Sequence, residues 1–318
     1  MPGVPALCSV VIPVYGNEAS IHELLAELEA LHRDLARPLE VVFVVDASPD
    51  NSLQVLRERL PRASFQSQLL LHARNFGSFA AIRSGLAVAK GQLIGVMAAD
   101  LQEPASLMRE FFSTLEAGHD VVYGARAERN DPALSSLSSR LFWGLYKSFV
   151  LPELPDGGVD IFGVTRAARD ALLSLPERNS SLVAQLFWIG FRRAPVAYKR
   201  RVRPYGASAW TLKKKLKYLS DSVYGFSDLP IRALTQGGFL SMGLATLAGL
   251  VVLLGRLTGH IHVEGYTPVI LAIVFFGGLN AFGLGIIGQY VWRAFENTKA
   301  RPLSIVSLHS EWPGSTGP

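Results

Sequence analysis

The sequence predicts an α/β domain on a mainly parallel sheet, then an interfacial helix and a two-helix transmembrane hairpin. Two observations carry this. Between residues 7 and 102, apolar β-branched runs alternate with segments of helical periodicity, the pattern of a parallel sheet covered by helices on both faces. Beyond residue 232, two stretches of more than 20 residues contain no charged side chain.

Residues 7–15 (LCSVVIPVY) read as a first strand, and IHELLAELEALHRDL as the helix after it. EVVFVVDAS is a second strand ending in polar residues, SLQVLRERL a helix and SQLLLHA a third strand. SFAAIRSGLAVA is helical, and QLIGVMAADLQ is a fourth strand that ends in an acidic turn. VVYGARAER is a further strand-like run, followed by the apolar helix LFWGLYKSFV and an LPDGGVD turn before IFGVTR.

The uncharged stretches run from Ala233 to Leu254 and from Pro268 to Trp292. At about 1.5 Å per residue each exceeds a hydrocarbon core of roughly 30 Å. A pair of buried core helices is the plainer alternative, but such helices carry a polar stripe. The Gly and Ser content here suits close helix packing in lipid. The connection GRLTGHIHVEGYT is short, so the two form a hairpin. Lys213, Lys214, Lys215, Lys217 and Arg232 precede it, and Arg293, Lys299 and Arg301 follow, whereas the connection holds only Arg256 and two histidines. That asymmetry predicts a multi-pass membrane protein with both ends in the cytoplasm and the connection outside. Trp210, Leu212, Leu216, Leu219, Val223 and Phe226 recur at helical spacing among lysines, which reads as a helix lying on the membrane or an ordinary surface helix. The expected parts are a domain at 1–206, juxtamembrane helices at 207–232, the hairpin at 233–293 and a cytoplasmic tail at 294–318.

Composition narrows the classes. A mean hydropathy of +0.25 reflects the apolar C-terminal third. The single cysteine, Cys8, excludes an intrachain disulfide framework. The net charge of +5 is modest and concentrated in Arg192–Arg203 and Lys213–Lys217, which points to an anionic surface or ligand rather than nucleic acid. There is no zinc-ligand spacing, P-loop or dinucleotide fingerprint, and the N-terminus lacks the basic region of a signal peptide.

In open parallel sheets, ligands bind beyond the carboxyl ends of the strands. Those ends carry Tyr15 and Glu18, Asp46 and Ser48, Arg74 and Asn75, Asp100 and Gln102. Arg126, Arg129, Arg140 and Asp160 follow on later segments. Carboxylates beside arginines suit a diphosphate bound with Mg²⁺ or Mn²⁺, because these ions take oxygen ligands and guanidinium forks match phosphate oxygens. Each residue also has a plainer role: a strand-end cap for Asp46, a turn cap for Asp100, a turn residue for Asp160, surface charges for Arg126 and Arg140, and a lipid-facing charge for Arg203.

The segments IPVYGNE, VVDASPDNS, HARNFGSFAAIRSGL, MAADLQEP, YGARAER, SSRLFWGLY and GVDIFGVTR, in that order, resemble inverting family 2 glycosyltransferases. The chain is similar to the polyprenyl-phosphate group, and the likeness extends through WIGFRRAPV, the hairpin and KARPLSIV. The resemblance implies a GT-A type nucleotide-sugar-binding domain and a nucleotide-sugar donor, with a UDP-sugar favoured over a GDP-sugar. It implies that Pro13, Tyr15, Glu18 and Asp46 contact the nucleotide, although the family's acid falls where this chain has Asn17. Asp100 and Gln102 would hold the metal. Arg126, Arg140, Arg203 and Ser208 would hold donor or acceptor phosphates, and Asp160 would lie near the acceptor. The chain departs from the pattern at Ala98, which replaces the first carboxylate of Asp-x-Asp, and at Val45, Ala47 and Ala209. Weaker metal binding is expected.

The activity so implied is transfer of one sugar to a polyprenyl phosphate, with inversion, by an enzyme that is a homo-oligomer or a monomer. Two other readings stand beside it. A processive polysaccharide synthase would carry more spans and a Gln-x-x-Arg-Trp motif, which is absent. A non-catalytic membrane scaffold of the same fold would explain Ala98.

Overall fold

The computed structural model describes residues 6–126, 144, 146–147, 152–153, 155, 158–201, 204–205, 212–258 and 266–314. Arg140, Arg203 and Ser208, and most of the helix expected at 141–150, lie outside the described residues. The chain divides into two compact units, residues 1–216 with 302–318, and residues 217–301.

The first unit alternates β1 (Cys8–Val14), α1 (Glu18–Leu35), β2 (Leu39–Val45), α2 (Ser52–Arg59), β3 (Gln66–His72), α3 (Ser78–Val88) and β4 (Leu93–Val96). Then come α4 (Leu107–Glu116), β5 (Val121–Arg126), β6 (Phe162–Thr165), α5 (Arg166–Leu173), α6 (Leu182–Trp188) and β7 (Arg193–Tyr198). The sheet is ordered β7-β5-β6-β4-β1-β2-β3-β8, where β8 is Val306–Trp312. Strands β1 to β4 are parallel, and β5 and β7 run with them. Only β6 and β8 are antiparallel to their neighbours among the described strands.

Every residue of β2 is buried, as a strand covered on both faces requires. Val10, Ile12 and Val14 share one core with Ile21, Leu24 and Leu28 of α1 and Phe111 and Phe112 of α4. On the other face, α3 approaches so closely that a Cβ at Gly85 would lie 2.3 Å from Val11 and 3.1 Å from Val44. Pro13 is tolerated within a central strand for a local reason. Its side of β1 faces β4, whose pairing ends at Val11, so no ladder bond is lost.

β8 differs from the expectation of a tail at 294–318. Leu69, Leu70 and Leu71 of β3 pair with Ser310, His309 and Leu308. The chain therefore re-enters its first unit after the apolar helices.

The second unit holds most of α7 (Leu212–Phe226), with α8 (Leu229–Leu257) and α9 (Tyr266–Thr298). Two 27-residue segments, Leu229–Gly255 and Ala272–Thr298, are long and apolar enough to cross a membrane, with mean hydropathies of 2.0 and 1.6. Phe239, Leu247, Val251, Phe275 and Phe282 stand exposed, which removes the buried-core alternative for these helices. α7 is tied to α9 by Asp221, which accepts from Arg293 at 2.8 Å, and by an edge contact between the rings of Tyr224 and Tyr290.

Candidate active site

Strand direction assembles the site. The carboxyl ends of β1, β2, β3, β4, β5 and β7 share one sheet edge. Because β6 is antiparallel, Asp160, just before it, arrives at the same edge. The edge carries two carboxylate groups of opposite character.

The first group lies beyond β1, β2 and β3. Asp46 is 2% exposed. Its Oδ1 accepts from His72 Nδ1 at 2.8 Å and from the Phe76 N–H at 2.8 Å, and its Oδ2 from the Gly77 N–H at 2.7 Å. Burial would raise its pKa, but these hydrogen bonds outweigh burial and hold the carboxyl below the usual range. Gly77 has φ of +95°, which explains a glycine where the loop turns into α3. The neighbouring loops are laced together. Gly16 N–H donates to Ser48 Oγ at 2.8 Å, and Glu18 N–H to Asp50 Oδ2 at 2.9 Å. In return the Glu18 carboxylate accepts from the Asn51 N–H at 2.9 Å and its side-chain amide at 3.0 Å. Glu18 thus caps the start of α2, while Tyr15 presents an exposed ring and Pro13 is half-buried.

The second group lies beyond β4, β5 and β7. The chain turns sharply at Leu101, whose φ is +60°, setting Asp100 and Gln102 on one loop. Gln102 N–H lies 3.3 Å from Asp100 Oδ1, and Gln102 Oε1 accepts from Arg200 at 2.7 Å. Arg201 N–H donates to the Gln102 carbonyl at 2.8 Å, so the end of β7 is fixed to this loop. Glu103 is 1% exposed, and neither of its oxygens has a hydrogen-bond partner among the described residues. Arg200 Nε stands 3.4 Å away. Burial, then the charges of Asp160 and Asp100, push the Glu103 carboxyl up to about 7. Arg126 donates to Asp160 through Nε at 2.8 Å and through a terminal nitrogen. Tyr198 donates to the same Asp160 oxygen at 3.2 Å. Burial and the Asp160 charge raise the Tyr198 hydroxyl's pKa, so it stays a donor.

Of the residues expected from sequence, Pro13, Tyr15, Glu18, Asp46, Asp100, Gln102, Arg126 and Asp160 all fall at this edge. Arg126 and Asp160 form one ion pair rather than acting separately. Four residues escaped the sequence reading: His72, Glu103, Tyr198 and Arg200. Glu103 had a signal, being the acid next to Gln102 in the AADLQEP turn. The other three gain meaning only from strand adjacency.

Residues 9–173 match the model of the glycosyl transferase family 2. The chain is 32% identical to "Uncharacterized glycosyltransferase YkcC" of Bacillus subtilis, covering 94% of this chain and 92% of that protein. It is 30% identical to the undecaprenyl-phosphate 4-deoxy-4-formamido-L-arabinose transferase of Pseudomonas aeruginosa, covering 93% of this chain and 88% of that one. Among solved structures, mannosyl-3-phosphoglycerate synthase from Rubrobacter xylanophilus superposes with a TM-score of 0.47 at 16% identity, covering 73% of this chain and 75% of that one.

Proposed function

The chain belongs to the glycosyl transferase family 2, and from that premise we propose that it moves a single sugar from a nucleotide donor to a polyprenyl phosphate, with inversion, at the cytoplasmic face of a membrane. The observation that carries this reading is the second carboxylate group. Asp100, Gln102 and Glu103 meet Arg126, Asp160 and Arg200 at one sheet edge. Relatives that use undecaprenyl phosphate supply the acceptor class.

In the proposed reaction a phosphate oxygen of the acceptor forms the new bond to the anomeric carbon as the bond to the nucleoside diphosphate breaks. That oxygen is already anionic, so no strong general base is required. The site must instead hold two repelling phosphates and stabilise the leaving group. A guanidinium carries five donors, and pairing with Asp160 aims Arg126 without exhausting it. Asp160 is therefore assigned to orienting Arg126 rather than to proton abstraction. Tyr15, with Pro13 and Asp46, is assigned to the nucleotide base, and Arg140, Arg203 and Ser208 to phosphates.

A divalent ion fits the chemistry of the donor set in part. Asp100 and the Gln102 amide oxygen would hold it, with the buried Glu103 carboxyl beside them, 3.4 Å from Arg200. Among the described residues no three acidic, His or Cys side chains cluster as a metal site, so diphosphate oxygens and water would complete the shell. When bound, Mg²⁺ or Mn²⁺ would neutralise charge on the departing diphosphate.

The membrane assignment draws on connectivity. β1–β7 precede the two apolar helices and β8 follows them in the same sheet. A chain that leaves and re-enters one folded unit crosses an even number of times. Lys217 and Arg232 before the helices, with Arg293, Lys299 and Arg301 at their end, favour the cytoplasm as the shared side.

The test offers radiolabelled UDP- and GDP-sugars with undecaprenyl phosphate to the purified chain and extracts product into organic solvent. Labelled lipid is expected with at least one donor. No labelled lipid with any donor, from a folded preparation, leaves the scaffold reading, which Ala98 favours.

A further inference from the structure

β8 is antiparallel to β3, so the residues just before it arrive at the same edge as the carboxyl end of β3. They are bonded there. Ala73 N–H donates to the Ile305 carbonyl at 2.9 Å, and Ser304 Oγ lies 2.7 Å from Ser84 Oγ. Ser84, on α3, in turn lies 2.9 Å from His72 Nε2, and His72 Nδ1 lies 2.8 Å from Asp46 Oδ1. His72, Ser84 and Asp46 are all buried. A polar series of four side chains thus runs from the segment after the second apolar helix to the carboxylate that fixes residues 76 and 77.

The chemistry sets its direction. An ionised carboxylate only accepts, so His72 donates from Nδ1. In the neutral ring Nε2 then accepts, and Ser84 is the donor to it. The remaining lone pairs of Ser84 are open to Ser304, whose hydroxyl donates. Ser304 therefore counters the usual alternative for a helical serine, which is to turn back onto its own helix carbonyl. Asp, His and Ser in this order also make the series look like a hydrolytic triad. Ser84 is only 9% exposed, with its oxygen against His72 and Ser304, which leaves no approach for a substrate.

We propose that Ser304 is a positioning residue for the nucleotide end of the donor site, acting through Ser84 and His72 on Asp46 and the loop it holds. The inference rests on the donor-site reading above. It makes the C-terminal segment a part of that site rather than a tail.

The test uses the full chain in nanodiscs. UDP and GDP are titrated by calorimetry, and donor KM and kcat are measured for wild type, Ser304→Ala, Ser304→Thr, Ser84→Ala and the double alanine variant. Ser304→Ala is expected to weaken the nucleotide that wild type binds, and to raise donor KM, by about 3- to 10-fold, the worth of about one hydrogen bond. Its kcat should stay within about twofold of wild type, since the phosphate-side residues are untouched. Ser304→Thr, which keeps the hydroxyl, should recover most of the affinity. The double variant should be no worse than Ser84→Ala, because both changes break one series. Wild-type nucleotide affinity in Ser304→Ala, or a threonine variant no better than alanine, overturns the inference while leaving the transferase reading intact. A wild-type chain that binds neither nucleotide and forms no lipid-linked sugar overturns both.

Discussion

Asp46 and Glu103 are both almost fully buried at the same sheet edge, yet their carboxyl groups are driven in opposite directions. Burial acts on both, and in both it favours the neutral form. Asp46 is surrounded by donors, two of them backbone N–H groups, and these reverse the effect of burial. Among the described residues Glu103 accepts no hydrogen bond; the Arg200 guanidinium at 3.4 Å and the charge of Arg126 favour its ionised form less than burial, Asp160 and Asp100 oppose it. The difference separates a group that is finished by the fold from one whose environment is left incomplete. On the proposed nucleotide side the carboxylate is already satisfied. On the proposed phosphate side Glu103 stays buried beside two like charges.

The comparison is broken most severely on the phosphate side. Arg126→Ala should lower kcat/KM for lipid-linked product by about a thousandfold, since the change removes the charge proposed to hold phosphate. Thermal unfolding should shift less than in Asp46→Ala, because Asp160 is more exposed than Asp46 and keeps the Tyr198 hydroxyl as a donor. A drop in Tm that accounts for the lost activity would show instead that Arg126 belongs to the framework.

Asp46→Ala should lower donor affinity and, more than Arg126→Ala, lower Tm as well. It leaves His72 and the Phe76 and Gly77 N–H groups without their acceptor, at a cost of about 3 kcal/mol. For a domain of this size that corresponds to a fall in Tm of roughly 6–12 °C. Differential scanning fluorimetry of the two variants side by side makes the contrast directly. Similar Tm losses in both would erase the distinction between a finished and an unfinished group.

Between these two lies Asp100→Asn. It keeps the shape of the loop and removes a charge, so turnover should fall about a hundredfold with Tm within about 2 °C. Mn²⁺ titration with UDP or GDP present, followed by electron paramagnetic resonance, should show weaker ion binding than wild type. Unchanged ion binding removes Asp100 from the metal's shell.

Most of the fold and the Asp46 side of this contrast were legible in the sequence, and the part that was not has a physical cause. β-Branched runs located β1 and β2 and a leucine run located β3, and the polar residues closing these runs marked the site edge. β4 was read too long, because QLIGVMAADLQ stays apolar while the backbone leaves the strand after Val96. The direction of β6 was hidden, since FGVT has the same composition whichever way it runs. β8 was missed because an edge strand with His309, Ser310 and Glu311 has no apolar run to announce it. Asp46 was found, but its bond to His72 joins residues on neighbouring strands, which no local spacing encodes. Glu103 was passed over for Asp100 and Gln102 because burial of an acid is a tertiary property.

The smallest expected effect is also the one that tests the comparison most directly, because it reads the two carboxylates by their sign. The Asp46 pKa is lowered in the folded state. Its contribution to stability is then present at neutral pH and lost as pH falls through the lowered folded value. The Glu103 pKa is raised from 4.5 to about 7. Stability from that group is present below about 4.5 and lost as pH rises through about 7, where the buried group must ionise. Tm against pH, measured without nucleotide or divalent ion for wild type, Asp46→Asn and Glu103→Gln, separates the two. Relative to Glu103→Gln, wild type should lose roughly 5–10 °C between pH 5 and pH 8. Relative to Asp46→Asn, it should lose stability only in acid, below the ordinary aspartate value of about 4. Parallel curves for wild type and Glu103→Gln from pH 5 to 8 would mean that Glu103 is balanced by a cation in the free protein, and the phosphate side would then be as finished as the nucleotide side.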